Sequence, residues 1–494
     1  VRRAAVLRLA VGLAYALGAT LAQSAPIPAV PGAATAVVRV PDFERTVLPN
    51  GLTLVVMRRT EVPLIAFTLV LRGGAMAEPA DRAGVAALTA GLLEKGAGRR
   101  NAHEFASAVE GAGGSFGASA GVETLRVSGQ FLARDRELML ELLADALRRP
   151  RFDAGEFETL RRRQIEFIKA AKDSDPSSLI DSYGRALLFG THPYARPVHG
   201  SARSLAMLGI EDVRAYARAH FGADRAILII TGEVDPAWAR SAVRRAFGDW
   251  GRAPQQLAPL DESARQRGRR VLLVDSPGAS QAYFWLGNVG VARRDRERAA
   301  IDVVNTLYGG RFTSILNTEL RVKSGLSYGA RSSFTRGSVA GEFAIRSFAV
   351  VDNARKAIDL AIDTLERLHR DGVDDDSLDS ARRYLLGQFP LGYETASQWG
   401  GALADLEFFG LGREDIETYG PRIAAVDGPA VRSVIARAFP RSDDLAIVLI
   451  GDAARLREVA TAYGTVTEMS LTDPDFAPAA IVAGRGEPSA ARAH

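Results

Sequence analysis

At 494 residues, with 47% hydrophobic and 24% charged side chains, the chain has the balance of a folded globular protein and the length of two or more units. It has no cysteine, which excludes disulfides, thiolate nucleophiles and Cys-based zinc or iron–sulfur centres. Setting aside Arg2, Arg3 and Arg8, the 62 basic residues are almost level with the 58 acidic ones, and the clusters "RRRQ" at 161–164 and "RRDRER" at 293–298 lack interleaved aromatics, which argues against a nucleic-acid surface.

Along the chain, those three arginines precede the apolar run "LAVGLAYALGATLA", followed by the small residues and prolines of "QSAPIPAVPGAA". This is the order of a secretory signal peptide, residues 1–25 with cleavage after Ala22 or Ala25, and it places the mature chain in the periplasm or outside the cell. The competing reading, an uncleaved anchor, needs roughly 20 apolar residues to cross a bilayer, and this run is shorter. "GLTLVVMRRTEVPLIAFTLVLRGG" at 51–74 reads as two strands parted at Glu61 and Pro63. "GVAALTAGLLEKGAG", Gly84 to Gly98, reads as a helix entered and left through glycines, with almost no side chain that could do chemistry. "ARDRELMLELLADALRR" has apolar residues at three- and four-residue spacing, the pattern of an amphipathic helix packed on a sheet.

The chain then repeats itself. "IEDVRAYARAHFGADRAILIITGEVD" at 210–235 is a helical stretch, a turn and a strand ending at Gly232, and "GPAVRSVIARAFPRSDDLAIVLIGDA" follows the same order to Gly451. The helical stretch that closes on Phe189-Gly190 is matched by one closing on Phe409-Gly410. Both pairs are offset by roughly 220 residues, far beyond the period of a solenoid, so a duplicated α+β domain is expected. The boundaries are a first domain at 38–250, a polar linker at 251–268, a second domain at 269–470 and a frayed Ala/Pro/Gly-rich tail at 471–494.

"LPNGLTLVV", "HPYARPVHG" at 192–200, the strand ends at Gly232 and Gly451 and above all "GGRFTSILNTELRVKSGLSYGARSSF" at 309–334 are similar to the pitrilysin and mitochondrial-processing-peptidase family of zinc peptidases. The resemblance runs from about Pro41 to Ala460 and implies two similar α+β domains facing each other across a chamber. Catalytic members carry H-x-x-E-H on a helix, two histidines for zinc and a glutamate as general base. Aligned on Gly84 and Gly96, this chain has Ala87 and Gly91 in the histidine positions and Ala90 in that of the glutamate. None of the three has a side-chain donor, so no zinc ligand set survives there. The distant glutamate ligand falls at Glu166 or Phe167. A relocated site would have to use His192 and His199, with no third donor in view, while His103, His220 and His369 stand singly.

In the second half the resemblance assigns Arg321 and Tyr328 to hold a peptide by donating to carbonyls beside the scissile bond, and Gly309, Gly310, Arg311 and Phe312 to a substrate-binding loop. Together these imply a noncatalytic subunit with no cofactor of its own. Its partner would be a homologous chain with an intact H-x-x-E-H motif and the zinc, and its substrate an unstructured peptide bound partly as an added strand. The alternative is an inert scaffold or peptide-binding protein of the same fold. A serine hydrolase finds no nucleophile-elbow motif.

Overall fold

The computed structural model describes residues 37–478 and Ile481, and the signal-peptide segment lies outside the described residues. In chain order the strands are β1 (Phe43–Val47), β2 (Thr53–Arg58), β3 (Leu64–Arg72), the two-residue pair β4 (Gly96–Ala97) and β5 (Arg100–Asn101), β6 (Ser115–Ala120), β7 (Thr124–Leu132) and β8 (Ala226–Gly232). The second half contributes β9 (Arg270–Asp275), β10 (Gln281–Val289), β11 (Ala330–Phe334), β12 (Glu342–Val350), β13 (Ala446–Gly451) and β14 (Thr465–Ser470). They form two six-stranded sheets, ordered β1-β2-β8-β3-β7-β6 and β11-β12-β10-β13-β9-β14.

Read from opposite ends, five positions correspond: β6-β7-β3-β8-β2 matches β11-β12-β10-β13-β9. In both, the strand that ends at Gly232 or Gly451 pairs parallel with one neighbour and antiparallel with the other. The sixth place comes from opposite ends of the chain, antiparallel β1 in one sheet and parallel β14 in the other. The duplication expected from the sequence is thus present in the strand order. β8 and β13 are buried at every residue, which is why each reads as an unbroken apolar run: both faces of these sheets are covered.

What covers them departs from the boundaries drawn in the sequence. The helix Ile180–Phe189 belongs to the first half by sequence but packs on β10 and β13, while the helix Ala396–Phe409 of the second half packs on β3 and β8. These are the two segments that close on Phe-Gly, so the duplicated helices are exchanged. Trp399, Leu403 and Phe408 of the second half share a core with Val55, Val70 and Ile229 of the first. In return Trp285, wholly buried on β10, lies against the backbone of Gly184, where an added Cβ would stand 2.5 Å from the indole Cε2. Residues 38–250 and 269–470 are therefore not two separately closed domains; each sheet is completed by a helix from the other half. Helical periodicity shows that a face is apolar, not which sheet it meets.

The linker carries no helix or strand, as its composition suggests, but Gln266 is buried and its N–H bonds to Asn288 Oδ1 at 2.8 Å, so it ends fastened to the second sheet. The tail needs a larger correction. Beyond β14, the Leu471 N–H bonds to the Asp275 carbonyl and the Ala202 N–H to that of Pro474. Lys172 bonds the Asp473 carbonyl, Asp475 pairs with Arg203 at 2.6 Å and accepts from Ser201 Oγ at 2.8 Å. Phe476 is buried edge-on against Tyr183, so residues 471–476 form a strap from the second sheet onto first-half helices. The Phe476→Ala variant is expected to lose about 3 kcal/mol of stability through the cavity it leaves, read as a shift of the urea midpoint at unchanged slope.

Candidate functional site

The helix Val85–Leu92 starts from Gly84 in the left-handed region, φ 96°, where a Cβ would also press on Gly200. In place of a capping side chain at Gly84, Glu78 reaches in: its carboxylate accepts from the Ala86 N–H at 2.8 Å and the Gly84 N–H at 3.1 Å. Burial pushes the Glu78 carboxyl up to about 8, against the pull of those amides and of the nearby Arg196 guanidinium. Glu78 did not stand out in the sequence because a capping role at this distance depends on the loop between.

Ala87 and Gly91 share a half-buried face of this helix, and Ala90 points into the core. Leu160, on the helix Ala154–Ser174, fills the space beside Gly91: a Cβ at that glycine would sit 2.8 Å from Leu160 Cδ2. A side chain at position 91 would have to displace the tip of Leu160. Neither candidate for the distant ligand faces this helix as a donor. Glu166 is exposed and pairs with Lys169 at 3.0 Å within its own helix, and the Phe167 ring is exposed. His192 uses both ring nitrogens locally, Nδ1 accepting from the Tyr194 N–H and Nε2 lying 3.0 Å from the Asp261 carbonyl oxygen. His103 is exposed, His220 lies against Arg225, His369 is 3.0 Å from the Pro440 carbonyl, and His199 has no hydrogen bond among the described residues. Among the described residues no three His, Asp or Glu side chains are grouped to hold a metal.

The second-half candidates converge. Thr306–Gly310 and Thr318–Lys323 are widened π-helical turns, a local geometry that re-aims side chains and recurs at functional sites. Asn317, just before the second turn, ties the loop between them to β11: its Nδ2 donates to the Phe312 carbonyl at 2.7 Å and its Oδ1 accepts from the Ala330 N–H of β11 at 3.1 Å. The chain reverses at Gly325, φ 64°, and the Ser327 and Ser347 hydroxyls both donate toward the Gly329 carbonyl at 2.9 Å, fixing the backbone on either side of Tyr328. As a result the Arg321 guanidinium lies over two rings, 4.5 Å from the Tyr328 centroid and 4.9 Å from that of Phe312. Both rings are largely exposed, 74% and 64%. Such stacking fixes the guanidinium plane and leaves its N–H edge free to donate.

Arg321 lines a cavity of about 590 Å³ together with Gly309, Gly310, Arg311 and Phe312, and Ser177 and Ile180 of the first half close its other side. Tyr328 stands outside this lining, and so do Ala87, Ala90 and Gly91. Gly309 also has a packing use: it is buried, and a Cβ there would stand 2.4 Å from Ser332 Oγ, so its missing side chain admits β11. Gly310 is exposed. Side chains also occupy main-chain groups on the outermost strands, where an added strand would pair. Glu94 accepts from the Ala118 N–H on β6 at 2.6 Å, and on β11 Asn305 donates to the Ser332 carbonyl at 3.2 Å while Asn317 takes the Ala330 N–H. The sequence offered no signal for these bonds, since each joins residues 13 or more positions apart.

Residues 54–200 match the family model described as Insulinase (Peptidase family M16), and residues 208–385 that described as Peptidase M16 inactive domain. The chain is 30% identical over 373 residues, 75% of its length and 83% of the relative's, to a protein of Mycobacterium tuberculosis named an uncharacterized zinc protease. It is 24% identical over 342 residues, 68% of its length and 77% of the relative's, to a Helicobacter pylori protein named a non-peptidase homolog. Its fold is similar to the crystal structure of a peptidase M16 inactive domain from Pseudomonas fluorescens, with a TM-score of 0.77 at 23% identity over 83% of this chain and 98% of that one.

Proposed function

The chain belongs to the M16 peptidase family, and on that premise we propose that it is the noncatalytic, substrate-holding subunit of a heterodimeric periplasmic zinc peptidase that degrades unstructured peptides. The observation that carries this reading is the Arg321 guanidinium, clamped between the Phe312 and Tyr328 rings at the rim of a cavity, in a chain whose motif positions Ala87, Ala90 and Gly91 have no metal donors. A scaffold has no use for two large rings held in solvent around a cation. The partner, a homologous chain with an intact H-x-x-E-H motif, would bring the zinc that activates water for attack on the peptide.

In this reading Arg321 and Tyr328 act in trans. Each donates to a carbonyl oxygen of the peptide next to the bond being cut, and donors held in place before the reaction stabilise the oxyanion more than the planar carbonyl. Gly310 and Phe312 border the peptide path, and Arg311 lies at its side. The signal-peptide pattern supports the periplasmic assignment, and among the described residues no helix is long and apolar enough to cross a membrane.

Reconstitution tests the proposal. The purified chain is expected to cleave no peptide and hold no stoichiometric zinc, and to confer turnover on its H-x-x-E-H partner when mixed one to one. Zinc and turnover in the isolated chain would overturn the subunit reading. A partner fully active by itself, and unchanged on mixing, would leave the inert scaffold as the better account.

A further inference from the structure

The cavity beside Arg321 is unusually one-sided in charge. Arg311, Arg321, Arg331 and Arg346 line it, and none of its lining residues is an aspartate or glutamate. Arg346 is already neutralised: it is buried, its Nε bonds Asp181, its Nη2 lies 3.8 Å from Glu342, and its Nη1 donates to Ser333 Oγ. The other three form no ion pair with any described carboxylate, in a protein where most arginines do. Arg311 donates to a hydroxyl, that of Ser380 at 3.0 Å, and its Nε is buried without a partner. Arg321 stacks on rings alone. Arg331, exposed on β11, stands directly opposite Arg346 in the β11–β12 ladder. Arg346 has its own carboxylates, so Arg331 is left as the uncompensated cation of this cross-strand pair.

We propose that this cavity is a carboxylate-selective subsite, in which Arg331, Arg311 and the free edge of Arg321 receive acidic groups of a bound peptide. The inference rests on the substrate-holding reading above and adds the class of substrate. Geometry favours carboxylates over a diffuse anion. A guanidinium held flat between two rings offers its N–H groups in one plane, which matches the two oxygens of a carboxylate, and Arg331 adds a second positive charge on the neighbouring strand. Of the carboxylates nearby, Asp181 and Glu342 are committed to Arg346, and Asp175, which accepts from the Ser177 hydroxyl near Tyr283, sets one negative charge against the three guanidiniums that have no ion pair. The peptide's carboxylates can come from glutamate and aspartate side chains or from its C-terminus.

Binding to the isolated chain tests this without the partner, so failure of the subunit reading and failure of this one give different results. Three fluorescein-labelled peptides of ten residues are compared at low salt by anisotropy: a Gly/Ser/Ala peptide with three glutamates, the same with glutamines, and the glutamate peptide amidated at its C-terminus. The glutamate peptide is expected to bind roughly tenfold tighter than the glutamine one, with the difference shrinking as salt rises. Arg331→Gln should remove most of the difference and Arg331→Glu should reverse it; position 331 is exposed, and a native circular dichroism spectrum checks that both variants fold. If amidation weakens binding as much as the glutamines do, the terminal carboxylate contributes as a ligand. Equal affinity for glutamate and glutamine peptides irrespective of the terminus, preference for an arginine-rich peptide, or no binding of any peptide would each overturn the proposal.

Discussion

In the reconstituted heterodimer, assayed with a peptide that has no acidic side chains and an amidated C-terminus, Arg321→Ala is expected to lower kcat by roughly 100- to 1,000-fold while KM changes by far less, the size of effect seen when one preorganised donor to an oxyanion is removed. Among the described residues the guanidinium has no partner other than two rings, so the substitution breaks no ion pair there, and its effect is read in the reaction rather than in folding. Tyr328→Phe isolates the hydroxyl. It keeps the ring over which Arg321 sits, 4.5 Å away, and should therefore leave the guanidinium in place while lowering kcat more than it raises KM. Steady-state kinetics at several substrate concentrations separates the two parameters. If Tyr328→Phe raises KM and leaves kcat alone, the tyrosine merely holds the ground state, and an unchanged rate with Arg321→Ala would remove the pair from the reaction altogether.

Trp285→Ala is expected to be the most destabilising single substitution in the protein, costing about 3–5 kcal/mol. The indole is wholly buried, and it fills the contact between β10 and the exchanged helix Ile180–Phe189 against the bare backbone of Gly184. Its Nε1 has no hydrogen-bond partner among the described residues, so the residue serves by volume, and its removal leaves a hole at the contact between the halves. Because residues of both halves meet in one core, the loss should move a single urea transition followed by fluorescence and by circular dichroism alike. Two transitions, only one of them shifted, would mean that the halves fold independently and that the exchange of helices contributes little.

The lack of metal donors at the three motif positions was legible because it is a statement about side-chain atoms. Ala87, Ala90 and Gly91 have no donors whatever their surroundings. What packs beside Gly91 was not legible: it is Leu160, about 70 residues further on, and a leucine on a helical face gives no sign of the glycine it will meet. The second-half site shows the same division. Arg321 and Tyr328 were identified from "TELRVKSGLSYGA" by resemblance, yet their meeting depends on Asn317 bridging Phe312 and Ala330 and on the two widened turns, none of which has a spacing rule. Gly309 was assigned to substrate because bare backbone suits a close approach; one such approach is that of Ser332 of the chain's own β11. The charge bias of the cavity was invisible for a related reason: Arg311, Arg331 and Arg346 are ordinary arginines until the fold places them around one space and spends a carboxylate on only one of them.

By itself the sequence determined the α+β class, the strands, the duplication and the missing zinc donors, because alternation, turn residues and the presence of a donor atom are local properties that survive any arrangement of the rest. Only the tertiary structure decided which helix covers which sheet, that the segment after β14 straps back onto the first half, and which side chains surround the cavity. An apolar face lowers its free energy against any suitable apolar surface, so the choice among surfaces is made by chain connectivity and fit, and these exist only once distant segments have come together.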